Sequence, residues 1–228
     1  MQQSKGGGAM LQAFFQRHVL CGVTRHRLSL AVLSGLIALG TAAAEAQTFI
    51  PLQTSSLKAQ GIANPTPAWT EFCNRVPSEC TVDMKEPRTA TLTPQLWTAL
   101  TSINRRVNQT IKAKTDDAHW GRADRWDFAE DGYGDCEDYQ LVKRRELVQQ
   151  GLPRRAMRMA VVIDETGAGH AVMLIRTDRG DFVLDNKKDA VLPWSQTGYT
   201  YIKVESADAT AWASLGGIIT SPTTTANR

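Results

Sequence analysis

The sequence predicts an α+β fold: helices come first, and an antiparallel β-meander follows. Three observations carry this. Leu96, Leu100, Ile103, Val107 and Ile111 recur at spacings of four, three, four and four, the apolar stripe of one amphipathic helix. A second helical pattern starts near Asp135, after the turn Asp131-Gly132-Tyr133-Gly134, and stops at Gly151-Leu152-Pro153. Beyond Pro153 the chain changes to short runs of β-branched and apolar residues separated by turns.

Taken in order, residues 1–46 read as a signal peptide. Arg17, Arg25 and Arg27 precede the uncharged run Leu28 to Gly40, which is too short to span a bilayer. Ala44-Glu45-Ala46 has the small-x-small form of a cleavage site, so export to the periplasm is expected. Residues 47–68 hold Pro51, Gly61, Pro65 and Pro67 without sustained periodicity and read as an extended arm. The globular domain is expected over 69–206, opening with a stapled loop from Trp69 to Cys80. Thr93-Pro94 starts the first helix, with Thr as N-cap and Pro at the first helical position. Strands are expected over 157–163, 170–177, 181–185 and 199–204. Residues 207–228 read as a C-terminal tail, Thr-rich from Ser221.

The charge balance depends on the first segment. The full chain has 26 basic and 23 acidic residues; without Lys5, Arg17, Arg25, Arg27 and Glu45 the remainder is balanced. No global charge argues for nucleic acid as a partner. The basic run Lys143, Arg144, Arg145, with Arg154 and Arg155, reads as a solvated helix face. Three cysteines remain, Cys73, Cys80 and Cys136. An oxidising compartment permits a local bridge between the first two, which leaves Cys136 as the odd cysteine.

Cys136 is expected in the first turn of the second helix, after a Gly-rich turn. There the helix dipole and exposed N–H groups stabilise a thiolate and can hold an oxyanion. A buried inert thiol is the competing reading, and position alone does not choose. After the signal peptide only His119 and His170 remain as candidate bases. A two-residue loop in the Asp178-Arg179-Gly180 turn puts Asp185 opposite Val172 or Leu174. Asp185 then shares a sheet face with His170 at one end of the hairpin. Nucleophile, base and orienting carboxylate make a Cys136-His170-Asp185 set, with Asp181 and Asp189 as the next candidates for the carboxylate. The acids of Gly134-Asp135-Cys136-Glu137-Asp138-Tyr139 oppose a thiolate unless a cation compensates, and calcium suits oxygen ligands. Solvated helix-capping acids are the plainer reading of the same cluster.

Gly134-Asp135-Cys136-Glu137-Asp138-Tyr139, Gly169-His170-Ala171-Val172 and Val183-Leu184-Asp185-Asn186 together resemble the bacterial transglutaminase-like cysteine peptidases, including the LapG-type periplasmic proteases. The resemblance runs from Trp69 to Glu205. It implies a papain-like or transglutaminase-like fold, with the nucleophile at a helix N-terminus packed on the meander. It implies Cys136, His170 and Asp185 as the triad, with calcium held by Asp135 and Glu137. Asn108, Asp116 and Asp124 fall where such proteins carry polar residues near this site. The implied activity is a cysteine protease or amidase acting through a thioester. The implied partners are a protein substrate, such as a large surface adhesin, and a membrane receptor. An acyl transferase with an amine acceptor and a non-catalytic periplasmic adaptor are the alternatives.

Overall fold

The computed structural model describes residues 50–217. The expected signal peptide with its cleavage site, and the end of the expected tail, lie outside the described residues. Seven strands form one antiparallel sheet: β1 (Gly61–Ala63), β4 (Met157–Ile163), β5 (Gly169–Thr177), β6 (Gly180–Leu184), β7 (Leu192–Pro193), β8 (Thr200–Glu205) and β9 (Trp212–Ser214). Their spatial order is β1-β9-β8-β4-β5-β6-β7. Only β4 to β6 follow the expected meander, and β7, which was not expected, extends it beyond β6. Instead of continuing it, β8 returns to the free edge of β4, so that Val162 pairs with Tyr201. A short parallel pair, β2 (Lys112–Ala113) and β3 (Tyr133–Gly134), stands apart.

Strand alternation divides the core in two. Met157, Met159, Val161, Met173, Ile175 and Phe182 face the helices. Ala160, Val162, Val172, Leu174 and Val183 face the other way, against Tyr199, Tyr201 and Leu215. Four helices are described: α1 (Pro67–Arg75), α2 (Pro94–Thr110), α3 (Asp116–Trp120) and α4 (Cys136–Gln149). The predicted start of α2 is met, since Thr93 Oγ1 accepts from Leu96 N at 3.1 Å. Its stripe of Leu100, Ile103 and Val107 is buried.

Four expectations need correction. The stretch from Trp69 is α1, capped by Thr66 Oγ1, which accepts from Trp69 N at 3.3 Å. The Thr-Pro start is the same signal as at α2, and Trp69 and Phe72 are buried. The Cys73–Cys80 disulfide then closes the helix and a following 3₁₀ turn, with Cα atoms 5.5 Å apart. The expected arm contributes a strand, because Ile62 pairs with Ala213. The expected tail supplies β9, whose Trp212 is buried. Finally, Lys143 and Arg144 are fully buried, not solvated. Arg144 Nη1 reaches Glu205 Oε2 at 2.6 Å, and a buried charge with a close partner can be accommodated. Because α4 packs on both α2 and β5, it buries polar faces that periodicity assigns to water.

Candidate active site

Cys136 opens α4, and Asp135 precedes it as N-cap. Asp138 completes the turn: its Oδ2 accepts from Asp135 N at 3.3 Å and its Oδ1 from Asp127 N at 2.6 Å. The chain must pass close to this side chain. A Cβ at Gly134 would lie 2.7 Å from Asp138 Oδ2 and 2.8 Å from its Cβ, so only glycine fits. The Cys136 thiol is buried. Sγ accepts from Ala171 N at 3.3 Å and donates to Glu137 Oε2 at 3.2 Å. The nucleophile helix therefore meets the start of β5, next to His170.

The β5–β6 hairpin has the loop Asp178-Arg179, with Thr177 opposite Gly180 and Met173 opposite Leu184. That register leaves Asp185 just past β6 on the face of His170. His170 Nε2 and Asp185 Oδ1 are 2.8 Å apart, both buried. His170 Nδ1 is buried and makes no hydrogen bond among the described residues. Asp185 is held on all sides. Tyr199 Oη donates to its Oδ2 at 2.6 Å, Lys187 N to its Oδ1 at 2.9 Å, and its own N–H reaches Asn104 Oδ1 at 3.1 Å. Burial raises the Asp185 pKa, but the bonds from His170, Tyr199 and Lys187 outweigh it and hold the carboxyl below its ordinary range. The turn before β5 is fixed by Asp164, whose Oδ1 accepts from Thr166 N at 2.8 Å and Ala168 N at 2.9 Å. Its Oδ2 pairs with Lys187 Nζ at 2.5 Å, tying that turn to the Asp185 loop.

The helix start is strongly acidic. Asp116, Asp135, Glu137 and Asp138 are all buried. Ligand-capable atoms of Asp116, Asp135 and Asp138 lie within 4.8 Å of one another, and so do those of Asp116, Asp124 and Glu137. Burial, then repulsion from Asp135, pushes the Asp116 carboxyl up to about 7. Burial also pushes Asp135, Glu137 and Asp138 up. The Cys136 thiol rises too, first from burial and then from the Asp135 charge. Asp116 Oδ1, Asp135 Oδ1 and Glu137 Oε1 are buried without a hydrogen-bond partner among the described residues. Crowded hard-oxygen donors, several of them left without a hydrogen bond among the described residues, fit a divalent cation.

Residues 59–218 match the bacterial transglutaminase-like cysteine proteinase family. The chain belongs to that family and is a cysteine peptidase. Among solved structures it is similar to Legionella pneumophila LapG, at 23% identity over 66% of this chain and 79% of that one, with a TM-score of 0.44. It is also similar to calcium-bound LapG from the same organism, at 22% identity over 69% and 83%, with a TM-score of 0.47. No curated protein matches its sequence. The family assignment rests on the sequence match.

In this peptidase the structure gathers Cys136, His170 and Asp185 at one end of the sheet. His119 stands elsewhere, hydrogen-bonded to Asp131 Oδ2 at 2.7 Å and stacked on Trp120. Asp181 is engaged by Arg176, and Asp189 is held by Asn108 Nδ2 at 3.0 Å, so neither orients His170. Asn108 also donates to Asp185 O at 2.9 Å, on the histidine side of the site and not among the acids. The sequence reading counted Asp138 among these acids but gave the calcium only Asp135 and Glu137, although the Asp-x-x-Asp spacing around Cys136 carries the capping-box signal. It missed Tyr199 and Asn104, which no local pattern marks.

Proposed function

We propose that this peptidase is an exported protease or amidase with Cys136 as nucleophile, His170 as base and Asp185 as orienting carboxylate. One observation carries the reading. His170 is bonded through Nε2 to a carboxylate at 2.8 Å, keeps Nδ1 open, and sits beside the amide that touches the Cys136 sulfur. Asp185 fixes the tautomer with the proton on Nε2, so the Nδ1 lone pair is the base. Nδ1 takes the thiol proton as Sγ attacks the amide carbonyl. First-turn N–H groups of α4 face the resulting oxyanion. The C–N bond breaks as His170 returns the proton to the leaving amine, leaving a thioester on Sγ. Water, deprotonated by Nδ1, attacks the thioester, and the acid departs as Sγ regains its proton.

Calcium is the ion we assign to the acidic cluster, with Asp135 and Glu137 as ligands and Asp116, Asp124 and Asp138 within reach. Its charge would offset the acids that hold the thiol pKa up. Glu137, engaged elsewhere, would then stop competing with His170 for the thiol hydrogen.

Removal of residues 1–46 and delivery to the periplasm complete the proposal, with a protein substrate. A large surface adhesin and a regulating membrane receptor are the partners that the resemblance implies. Iodoacetamide labelling tests the site without a known substrate. Calcium-loaded enzyme should label at Cys136 near neutral pH, and His170→Ala should slow that labelling severalfold. A rate matching that of an ordinary exposed thiol peptide, unchanged by His170→Ala, refutes the reading. Intact mass of the periplasmic protein should begin at Gln47.

A further inference from the structure

Helix α2 carries a polar residue inside its apolar stripe. Asn104 follows Leu100 by four residues and precedes Val107 by three, beside Ile103, and all four side chains are buried. Asparagine is a poor residue for a helix interior, and a buried amide is costly unless its polar atoms are bonded. Among the described residues, every hydrogen bond of this side chain goes to one loop, residues 185–189. Oδ1 accepts from Asp185 N at 3.1 Å. Nδ2 donates to Lys188 O at 2.8 Å and to Asp189 O at 2.9 Å. One side chain therefore ties together both ends of the loop that follows β6.

The consequence falls on the Asp185 carboxylate. Its backbone is held at the N–H by Asn104 and at the C=O by Asn108, whose Nδ2 donates at 2.9 Å. With both flanking peptides fixed, only the side-chain torsions of Asp185 remain. Tyr199 Oη, donating to Oδ2 at 2.6 Å, and Lys187 N, donating to Oδ1 at 2.9 Å, settle those. In that setting Oδ1 lies 2.8 Å from His170 Nε2. Lys187 and Asp189 are exposed, so the loop has water on its outer side, and its inner side is bonded to α2. A carboxylate that selects a histidine tautomer acts only while its direction is fixed, and a group that locks it from behind is as much part of the geometry as the carboxylate.

We propose that Asn104 is a positioning residue of the reaction: it fixes the Asp185 backbone so that the carboxylate holds His170 in the tautomer with the proton on Nε2. The inference rests on the triad reading above. Leucine has the same branched outline as asparagine and suits the apolar stripe, so Asn104→Leu removes the bonds to the loop while leaving the helix its packing.

The test uses calcium-loaded mature protein. The ¹⁵N signals of the His170 ring are read where the ring is neutral, and Cys136 is labelled with iodoacetamide at pH 7. The wild type should show a protonated Nε2 and a bare Nδ1. Asn104→Leu should draw the two nitrogen signals towards each other and slow the labelling about tenfold or more. Leu100→Ala, which empties core from the same helix, is the control for a merely structural role. Below its unfolding midpoint it should keep the wild-type signals and rate, and a change equal to that of Asn104→Leu overturns the proposal. Mixed tautomers in the wild type, or labelling indifferent to His170→Ala, defeat the triad reading and the proposal with it. A wild type that behaves as a triad, with Asn104→Leu giving the same signals and rate, defeats the proposal alone. If Asn104→Leu does not fold, Asn104→Ala takes its place. If neither folds, the wild type decides: the Asp185 amide should exchange with solvent as slowly as those of β5, and faster exchange overturns the proposal.

Discussion

Stripping the acidic cluster of divalent ions should make the protein less stable as the pH rises, the reverse of ordinary acid lability. Asp116 is the clearest case, raised from its ordinary 3.8 to about 7. A carboxyl raised on folding binds more protons in the native than in the unfolded state, so stability falls as pH climbs from the unfolded to the folded pKa. About three pKa units amount to ~4 kcal/mol. Two of those units lie between pH 5 and 7, and halving for solvent screening near α3 leaves ~1.4 kcal/mol. That corresponds to a drop in midpoint of about 3–6 °C for a domain of this size. Glu137 and Asp138, raised by burial, add in the same direction. The depressed carboxyls Asp164 and Asp185 act below this window, and the lowered Lys143 acts from about 7 upward. Differential scanning calorimetry in EGTA at pH 5 and 7 measures the drop, and calcium at pH 7 should reverse it. A chelated protein as stable at pH 7 as at pH 5 would refute the reasoning, because the acids would then be solvated caps.

Three further outcomes follow from buried charges and the disulfide. Glu205→Gln strips buried Arg144 of its carboxylate and should cost roughly 3–5 kcal/mol in urea unfolding, with Glu205→Gln/Arg144→Met recovering part of it. Burial lowers Lys143 to about 7. Its folded pKa is depressed, so its destabilising effect is full below about 7 and fades as pH rises towards 10.5. Lys143→Met should therefore raise stability at pH 6 by roughly 1–4 kcal/mol and leave it little changed near pH 10. Thiol titration of the denatured, non-reduced mature protein should find a single thiol, and reducing Cys73–Cys80 should cost about 2–3 kcal/mol.

Much of the site was legible because its signals are local. The turn before Cys136, the Thr93-Pro94 start of α2 and the two-residue loop of the β5–β6 hairpin each act over a few residues. Loop length alone sets strand parity, so Asp185 could be placed on the face of His170 from sequence. Thr66-Pro67 carries the same kind of local signal at the start of α1.

The sequence by itself determined the α+β class, the helix N-terminus under Cys136 and the pairing of His170 with Asp185, because each follows from chemistry and spacing along the chain. Only the tertiary structure decided which charges are buried. Asp116 arrives at the helix start from α3, and Glu205 reaches Arg144 across 61 residues of sequence. Tyr199 meets Asp185 only because β8 returns to β4 instead of extending the meander. Desolvation and long-range pairing set the acidity of these groups, and both depend on which segments pack together, a property that no local window of the chain contains.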